Sequence, residues 1–325
     1  MATTASAARP LLSVVVPVYN EQAALAELDA RLRAALAQLA EPCEIVYVDD
    51  GSSDASIAIL EGIVAAHPDT TLVELSRNFG KEPAMLAGYD HAAGRAVVVV
   101  DADLQTPPEL IGPMVAAWRA GAEIVDAVRS DSHVQGALRR LTSWGFYWLM
   151  RRAGGHFVVP NCADFRLMDA RVVEAVRRCR ERRRFNRGLV GWTGFRRQAI
   201  AFQADQRRGG GSRWGIGRLL HYAMDALFSF SGLPVRVVGA AGAAVTLISL
   251  LLLLGLLLGG LVAGGVSSWA LLAAGLFLLG GLNLGAIALV GEYVVRLADE
   301  IRDRPVYLAR RVIGRHGRAA HTPGA

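Results

Sequence analysis

From Val237 to Gly291 the chain carries no charged residue, and no other stretch limits its folding so severely. One membrane crossing takes about 20 apolar residues, so the run is too long for one span and long enough for two. Glycines and serines between Gly264 and Ser268 divide it. The spacing predicts transmembrane helices over 238–262 and 269–291, joined by a very short loop. Arginine flanks both outer ends: Arg236 before, then Arg296, Arg302, Arg304, Arg310, Arg311 and Arg315 after, with none in the loop between. By the positive-inside rule both termini are then cytoplasmic, in a multi-pass protein of the cell inner (plasma) membrane.

The residues before 236 follow another rule. Short apolar runs at Leu11–Pro17, Glu44–Val48, Thr71–Leu75, Val97–Val100 and Glu123–Val128 alternate with helical spacing over Glu21–Leu39, Ala55–Ala66, the segment ending at Ala93, and Pro107–Ala120. Asp54 is placed to cap the second of these helices. Strand and helix in alternation predict a doubly wound α/β domain with a mainly parallel sheet. Such sheets bind ligands beyond the carboxyl ends of their strands, where Asp50, Arg77, Asp101, Asp103 and Arg129 fall. Residues 1–10 are small and polar and are expected to be disordered, without the apolar core of a signal peptide.

Val97 to Val100 reads as a strand buried on both faces. Asp101 and Asp103 follow it, and on an extended chain residues i and i+2 point the same way. Two adjacent carboxylates repel unless a cation lies between them. Hard oxygen ligands suit Mg²⁺ or Mn²⁺, which usually also bind substrate phosphates.

Net charge is +6 and the pI about 9.6. Nearly all the basic charge is arginine, and Lys81 is the only lysine. The arginines flank the apolar region, which favours anionic lipid headgroups and phosphates over nucleic acid, and no nucleic-acid partner is expected. Gln135–Arg152 is basic, aromatic and amphipathic, and 213–231 looks similar. Both predict interface helices on the bilayer surface. Cys43, Cys162 and Cys179 show no paired spacing and read as reduced thiols. The resulting domain boundaries are 11–235 for the α/β domain, 236–292 for the membrane helices and 293–325 for a basic cytoplasmic tail.

The motifs are S-V-V-V-P-V-Y-N-E at Ser13–Glu21, V-D-D-G-S-S-D at Val48–Asp54, L-S-R-N-F-G-K-E at Leu75–Glu82 and D-A-D-L-Q-T-P-P-E at Asp101–Glu109. D-F-R-L-M-D at Asp164–Asp169, S-F-S at Ser229–Ser231 and G-E-Y…R-P-V-Y from Gly291 to Tyr307 continue the series. In joint order and spacing the chain resembles the family 2 glycosyltransferases, and among them the polyprenyl-phosphate glycosyltransferases similar to dolichyl-phosphate mannose synthase. The resemblance implies a GT-A (Rossmann-like) domain and inverting transfer of one sugar from a nucleotide diphosphate sugar to a polyprenyl phosphate. It also implies a homo-oligomer, a tetramer in relatives with this tail.

Carried over by motif, Pro17, Tyr19, Glu21, Val48, Asp50 and Ala102 belong to the nucleotide pocket. Asp101, Asp103 and Gln105 would hold the metal on the diphosphate. Arg129, Arg139 and Ser143 match positions near the phosphates. Arg207 and Arg213 lie in R-R-G-G-G-S-R-W, a glycine-rich loop expected to close over the donor, with guanidinium groups suited to phosphate oxygens. Arg213 stands where relatives carry lysine, and Ala204 where they often carry another arginine. Asp164 matches the family's candidate base. A phosphate monoester has its second pKa near 6, so the acceptor scarcely needs deprotonation, and the alternative role for Asp164 is to position the acceptor or an arginine. Together Asp103, Asp164 and Arg207 form the expected catalytic set.

UDP-glucose is the first expectation for the donor, with GDP-mannose, N-acetylated sugars and aminoarabinose derivatives behind it. The acceptor is undecaprenyl or a related polyprenyl phosphate. A processive polysaccharide synthase is the enzymatic alternative. It would need more spans and a Q-x-x-R-W motif, but Gly210 stands where that glutamine belongs. A non-catalytic membrane scaffold is the alternative outside enzymes, and the intact Asp101/Asp103 pair argues against it.

Overall fold

The computed structural model describes residues 9–129, 162–181, 184–202, 268–302 and 304–314, with isolated helical positions at 244, 247 and 251. They divide into two compact units. The first is built on strands β1 (Leu12–Val18), β2 (Cys43–Asp49), β3 (Thr70–Leu75), β4 (Ala96–Val99), β5 (Ile124–Arg129), β6 (Cys162–Asp169), β7 (Arg197–Phe202) and β8 (Ala309–Gly314). Its helices are α1 (Leu25–Ala37), α2 (Ser56–Ala66), α3 (Lys81–His91), α4 (Ile111–Arg119), α5 (Ala170–Arg178) and α6 (Asn186–Trp192). The second unit contains α7 (Ser268–Ile301).

The eight strands form one sheet in the order β7-β5-β6-β4-β1-β2-β3-β8. The run β4-β1-β2-β3 is parallel, as the alternation of elements requires. β7 is also parallel to β5, so the expectation of a mainly parallel sheet holds for six of the eight described strands. β6 runs antiparallel to both β4 and β5, and β8 antiparallel to β3, so the sheet is mixed. A long connection returns the chain to the sheet as β6 in the opposite sense, and strand patterning alone carries no sign of direction.

Alternation sorts the core into two layers. Leu12, Val14, Val16, Tyr47 and Leu72 face α1, α2 and α4, while Val15, Val46, Val48, Val73, Val97 and Val99 face α3, α5 and α6. Val97, Val98, Val99 and Val100 are at most 1% exposed, the two-faced burial read from the valine run. Gly88 lets α3 lie against β1, since a Cβ there would meet the Val15 side chain at 2.1 Å. Pro17 lies beyond Val15, the last β1 residue registered with β4, where the lack of an N–H costs little.

Below the sheet's open edge, Asp126 of β5 is 1% exposed and pairs with Arg166 of β6 and with Arg197 of β7, the latter at 2.6 Å. Against the upward push of burial, the two guanidinium groups hold Asp126 below the usual carboxylate range. Removing one partner of such a buried pair typically costs about 3–5 kcal/mol, so this triad ties β5, β6 and β7 together.

The helices are shorter at their ends than the spacing predicts. The first begins at Leu25 rather than Glu21, because residues 20–22 are bonded to a neighbouring loop. The segment after Pro107 starts as a 3₁₀ turn over Pro108–Leu110 and becomes α-helical at Ile111. The N-cap of α2 is Ala55 rather than the expected Asp54, which lies one residue earlier and accepts the Ser56 N–H at 3.0 Å. Cys43 and Cys179 are free thiols.

The interface helices expected over 135–152 and 213–231 lie outside the described residues, as does the span expected over 238–262 apart from its three isolated positions. The span expected over 269–291 falls within α7, which continues to Ile301 because Tyr293-Val294-Val295-Arg296-Leu297 keeps helix-compatible spacing until the approach to Pro305. Among the described residues no helix is long and apolar enough to cross a membrane. Part of the expected tail is instead sheet. Ala309–Gly314 pairs with β3, and Arg310 and Arg311 meet the buried Glu74.

Candidate active site

Two loops at the carboxyl end of the parallel strands are locked together. Asn20, at φ 54°, donates its N–H to Ser52 Oγ at 3.0 Å and accepts the Ser53 N–H at 2.8 Å. Gln22 and Asp54 repeat the exchange: the Gln22 N–H reaches Asp54 Oδ2 at 3.2 Å, and Gln22 Oε1 accepts the Ala55 N–H at 2.9 Å. The Glu21 N–H is taken by Ser56 Oγ at 3.1 Å. The loops after β1 and β2 thus form one shelf, from which Tyr19 stands 40% exposed, available for stacking.

Asp50 holds the next loop. Its two carboxylate oxygens accept the N–H groups of Phe79 at 2.7 Å and Gly80 at 2.9 Å. Burial pushes its pKa up, against the pull of those two donors. Asp50 therefore has a structural role, fastening the loop after β3 to the end of β2. Gly51, at φ 71°, makes the close approach possible: a Cβ there would fall 2.6 Å from the Arg77 backbone carbon. Arg77 lies over the Phe79 ring at 4.0 Å.

After Val100 the chain turns rather than extending. Leu104 is left-handed at φ 58° and 5% exposed, a conformation that costs a bulky residue about 1–3 kcal/mol and is typical of sites that need it. The two aspartates therefore do not share a strand face. Asp103 accepts from Gln105 through the backbone N–H at 3.1 Å and the side-chain amide at 2.7 Å. Asp101 turns the other way, to Lys81.

That second contact comes from sheet register. β4 and β6 pair Ala96 with Asp169 and Val99 with Arg166, and continuing the register sets Asp101 opposite Asp164. The ammonium of Lys81, first residue of α3, lies 2.6 Å from Asp101 Oδ1 and 2.7 Å from Asp164 Oδ2. Arg187 of α6 reaches the other Asp164 oxygen at 2.7 Å. Against desolvation, Lys81 and Arg187 hold Asp164 well below the usual carboxylate range. Desolvation pushes Asp101 up, with Lys81 opposing it.

Glu82 stands behind this cluster. Its Oε2 accepts the N–H of Asn186 at 2.9 Å, fastening the start of α6. Burial, with the charge of Asp164 nearby, pushes its pKa up to about 7. A carboxyl raised on folding stabilises the protein fully below its unfolded pKa and loses that contribution as pH rises through the folded value. Glu82→Gln should therefore melt progressively higher than wild type as pH rises from about 4.5 to 7. The difference should flatten above that window. Thermal melts of both proteins across that range check it, and parallel curves would show that Glu82 does not titrate there.

Among the described residues no group of three or more His, Cys, Asp or Glu side chains is arranged to hold a metal ion. A three-carboxylate cage is not what the expected ion needs, because Mg²⁺ is usually bound by one or two carboxylates together with substrate phosphates and waters. Asp101 already draws a cation to its carboxylate, and Asp103 and Gln105 stand on the same turn, so these donors fit the expected group.

The structure brings together Asp50, Asp101, Asp103, Gln105 and Asp164 at one end of the sheet. Val48 and Ala102 are buried beneath them, 0% and 5% exposed. Arg129 ends β5 at the same edge. Arg139, Ser143, Arg207 and Arg213 lie outside the described residues. Missed beforehand were Lys81, Glu82 and Arg187, together with the shelf residues Asn20, Gln22, Ser52 and Ser56. Lys81 did carry a signal, since it is the sole lysine among so many arginines.

Residues 13–177 match the profile described as Glycosyl transferase family 2. A protein of Synechocystis sp. described as an uncharacterized glycosyltransferase is 40% identical over 298 residues, covering 91% of this chain and 94% of its own. The SfII prophage-derived bactoprenol glucosyl transferase of Shigella flexneri is 36% identical over 301 residues, covering 92% and 97%. The prophage bactoprenol glucosyl transferase homolog of Escherichia coli K12 is 33% identical over 302 residues, covering 93% and 99%.

Proposed function

Because the chain belongs to glycosyl transferase family 2, and so is a glycosyltransferase, we propose that it transfers one sugar from a nucleotide diphosphate sugar to a polyprenyl phosphate at the cytoplasmic face of the membrane. The observation that carries this reading is the alternating charge series Asp101–Lys81–Asp164–Arg187 beside Asp103. It offers cationic groups to a phosphate acceptor directly against the carboxylates suited to a donor diphosphate. Relatives matching nearly the whole chain and named for bactoprenol, a polyprenol, support the acceptor, and their glucosyl names support UDP-glucose as donor.

The acceptor phosphate oxygen attacks the anomeric carbon as the bond from that carbon to the diphosphate oxygen breaks on the opposite face. Configuration inverts and no glycosyl-enzyme forms. Asp101, Asp103 and Gln105 would hold Mg²⁺ or Mn²⁺, which when bound neutralises charge on the departing diphosphate. Asp164, ion-paired through both oxygens, is a poor proton acceptor and serves to fix Lys81 and Arg187 in place. The shelf at Asn20–Gln22 and Ser52–Ser56 presents Tyr19 to the base. Arg129, Arg139, Ser143, Arg207 and Arg213 complete the phosphate contacts in this reading.

The membrane assignment rests on the uncharged run from Val237 to Gly291, long enough for two spans; Trp269, Leu272, Leu276, Ile287 and Val290, within that run, are exposed large apolar residues. In this reading two spans leave both termini in the cytoplasm and the enzyme assembles as a homo-oligomer. With Cys43, Cys162 and Cys179 replaced by serine, a cysteine introduced by Ser267→Cys should react with an impermeant thiol reagent added outside intact cells. One introduced by Thr322→Cys should not. The reverse pattern would overturn the topology and, with it, access to a cytosolic donor.

A further inference from the structure

Every strongly basic side chain of this protein is arginine except Lys81. That one ammonium stands where an aspartate just beyond β4 and one on β6 converge, 2.6 Å from Asp101 and 2.7 Å from Asp164. The choice of side chain has a physical consequence. A guanidinium is a rigid planar fork that grips a carboxylate through two parallel bonds, whereas an ammonium is a compact charge on a flexible stem. An ammonium fits between two carboxylates and can leave one without losing the other. Lys81 is 43% exposed along its side chain, so its stem has room to move.

We propose that Lys81 is the resident cation of this cleft: its ammonium occupies Asp101 Oδ1 in the metal-free protein, and a divalent ion entering at Asp101 and Asp103 displaces it while Asp164 retains it. The inference rests on the reading that Asp101 and Asp103 hold Mg²⁺ or Mn²⁺. Two cations cannot share one carboxylate oxygen at contact distance without strong repulsion, so metal and ammonium compete for it. The competition keeps Asp101 and Asp164 neutralised before substrate arrives. It also keeps metal affinity low until the donor diphosphate adds its own oxygen ligands, so that metal and donor enter together.

The test is Mn²⁺ binding without nucleotide, read as the loss of the free-ion spin-resonance signal, in wild type, Lys81→Met, Lys81→Arg and Asp103→Asn. Lys81→Met should bind Mn²⁺ more tightly than wild type, by a factor within the roughly 5–150-fold range of coupled sites. Lys81→Arg should bind no more tightly than wild type, and Asp103→Asn more weakly. If Lys81→Met folds only when Mn²⁺ is present and unfolds on chelation while wild type does not, the exchange is supported directly. If it fails to fold even with Mn²⁺, the metal does not replace the ammonium and the proposal is wrong. Unchanged or weaker binding in Lys81→Met, with weakened binding in Asp103→Asn, would overturn the exchange and leave the metal site standing. Unweakened binding in Asp103→Asn would remove the metal reading itself.

Discussion

Asp103→Asn keeps its fold and loses roughly 10²–10³-fold in turnover, the usual result of removing one charge contact made to a transition state. The fold survives because, among the described residues, Asp103 accepts only from Gln105 on its own turn, and an asparagine carbonyl still accepts the Gln105 N–H. The activity does not survive because an amide is a far poorer ligand than a carboxylate for a hard divalent ion. The readout is kcat at saturating Mg²⁺ or Mn²⁺, with circular dichroism confirming the fold. Turnover within a few-fold of wild type would remove Asp103 from the reaction.

Asp164→Asn should cost activity on the same order, roughly 10²–10³-fold, through the groups it positions. Asp164 fixes Lys81 through one oxygen and Arg187 through the other. An amide can accept from only one side, so one of the two cations loses its anchor. Held well below the usual carboxylate range by those two cations, Asp164 stays ionised throughout the working pH range and does not set the acidic limb of the rate profile. That limb should follow the acceptor, whose second pKa is near 6. Replacing the phosphate acceptor by a prenyl phosphonate, which holds its second proton more tightly, should move the limb to higher pH. The comparison belongs in the Glu82→Gln background, because burial pushes Glu82 up to about 7, into the same pH window. A limb that ignores the acceptor and disappears in Asp164→Asn would restore Asp164 as a base.

Much of the domain could be read from local pattern because its parallel half is built from local signals. The run Val97–Val100 is apolar on both faces because both faces are covered, and each strand of that half ends where a polar loop begins. The site was legible to the same depth: Asp50, Asp101 and Asp103 lie at strand ends, where alternation places them. Asp164 was marked only by its motif, since its meeting with Asp101 depends on a strand that returns antiparallel and registers Val99 with Arg166. Nor does any periodicity announce that Leu104 turns left-handed and sends the two aspartates to different partners. Lys81, Glu82 and Arg187 sit on helices packed over the other layer, and helical spacing does not show which residue of a first turn faces the cleft. β8 escaped for a related reason: a basic segment beyond an apolar helix looks like a solvated tail until Glu74 is seen waiting for its arginines.

Polyprenyl-dependent glucosyl transfer is measured with the purified protein reconstituted in bilayers with undecaprenyl phosphate and Mg²⁺ and given UDP-glucose labelled in the sugar. Label should appear in an organic-extractable lipid carrying a single glucose, formed with release of UDP and absent when the polyprenyl phosphate is left out. A second panel with labelled GDP-mannose and N-acetylated donors should show the same lipid dependence for whichever sugar the pocket accepts. Label that appears in a water-soluble or polymeric product, or that forms equally well without polyprenyl phosphate, would contradict transfer to a polyprenyl phosphate.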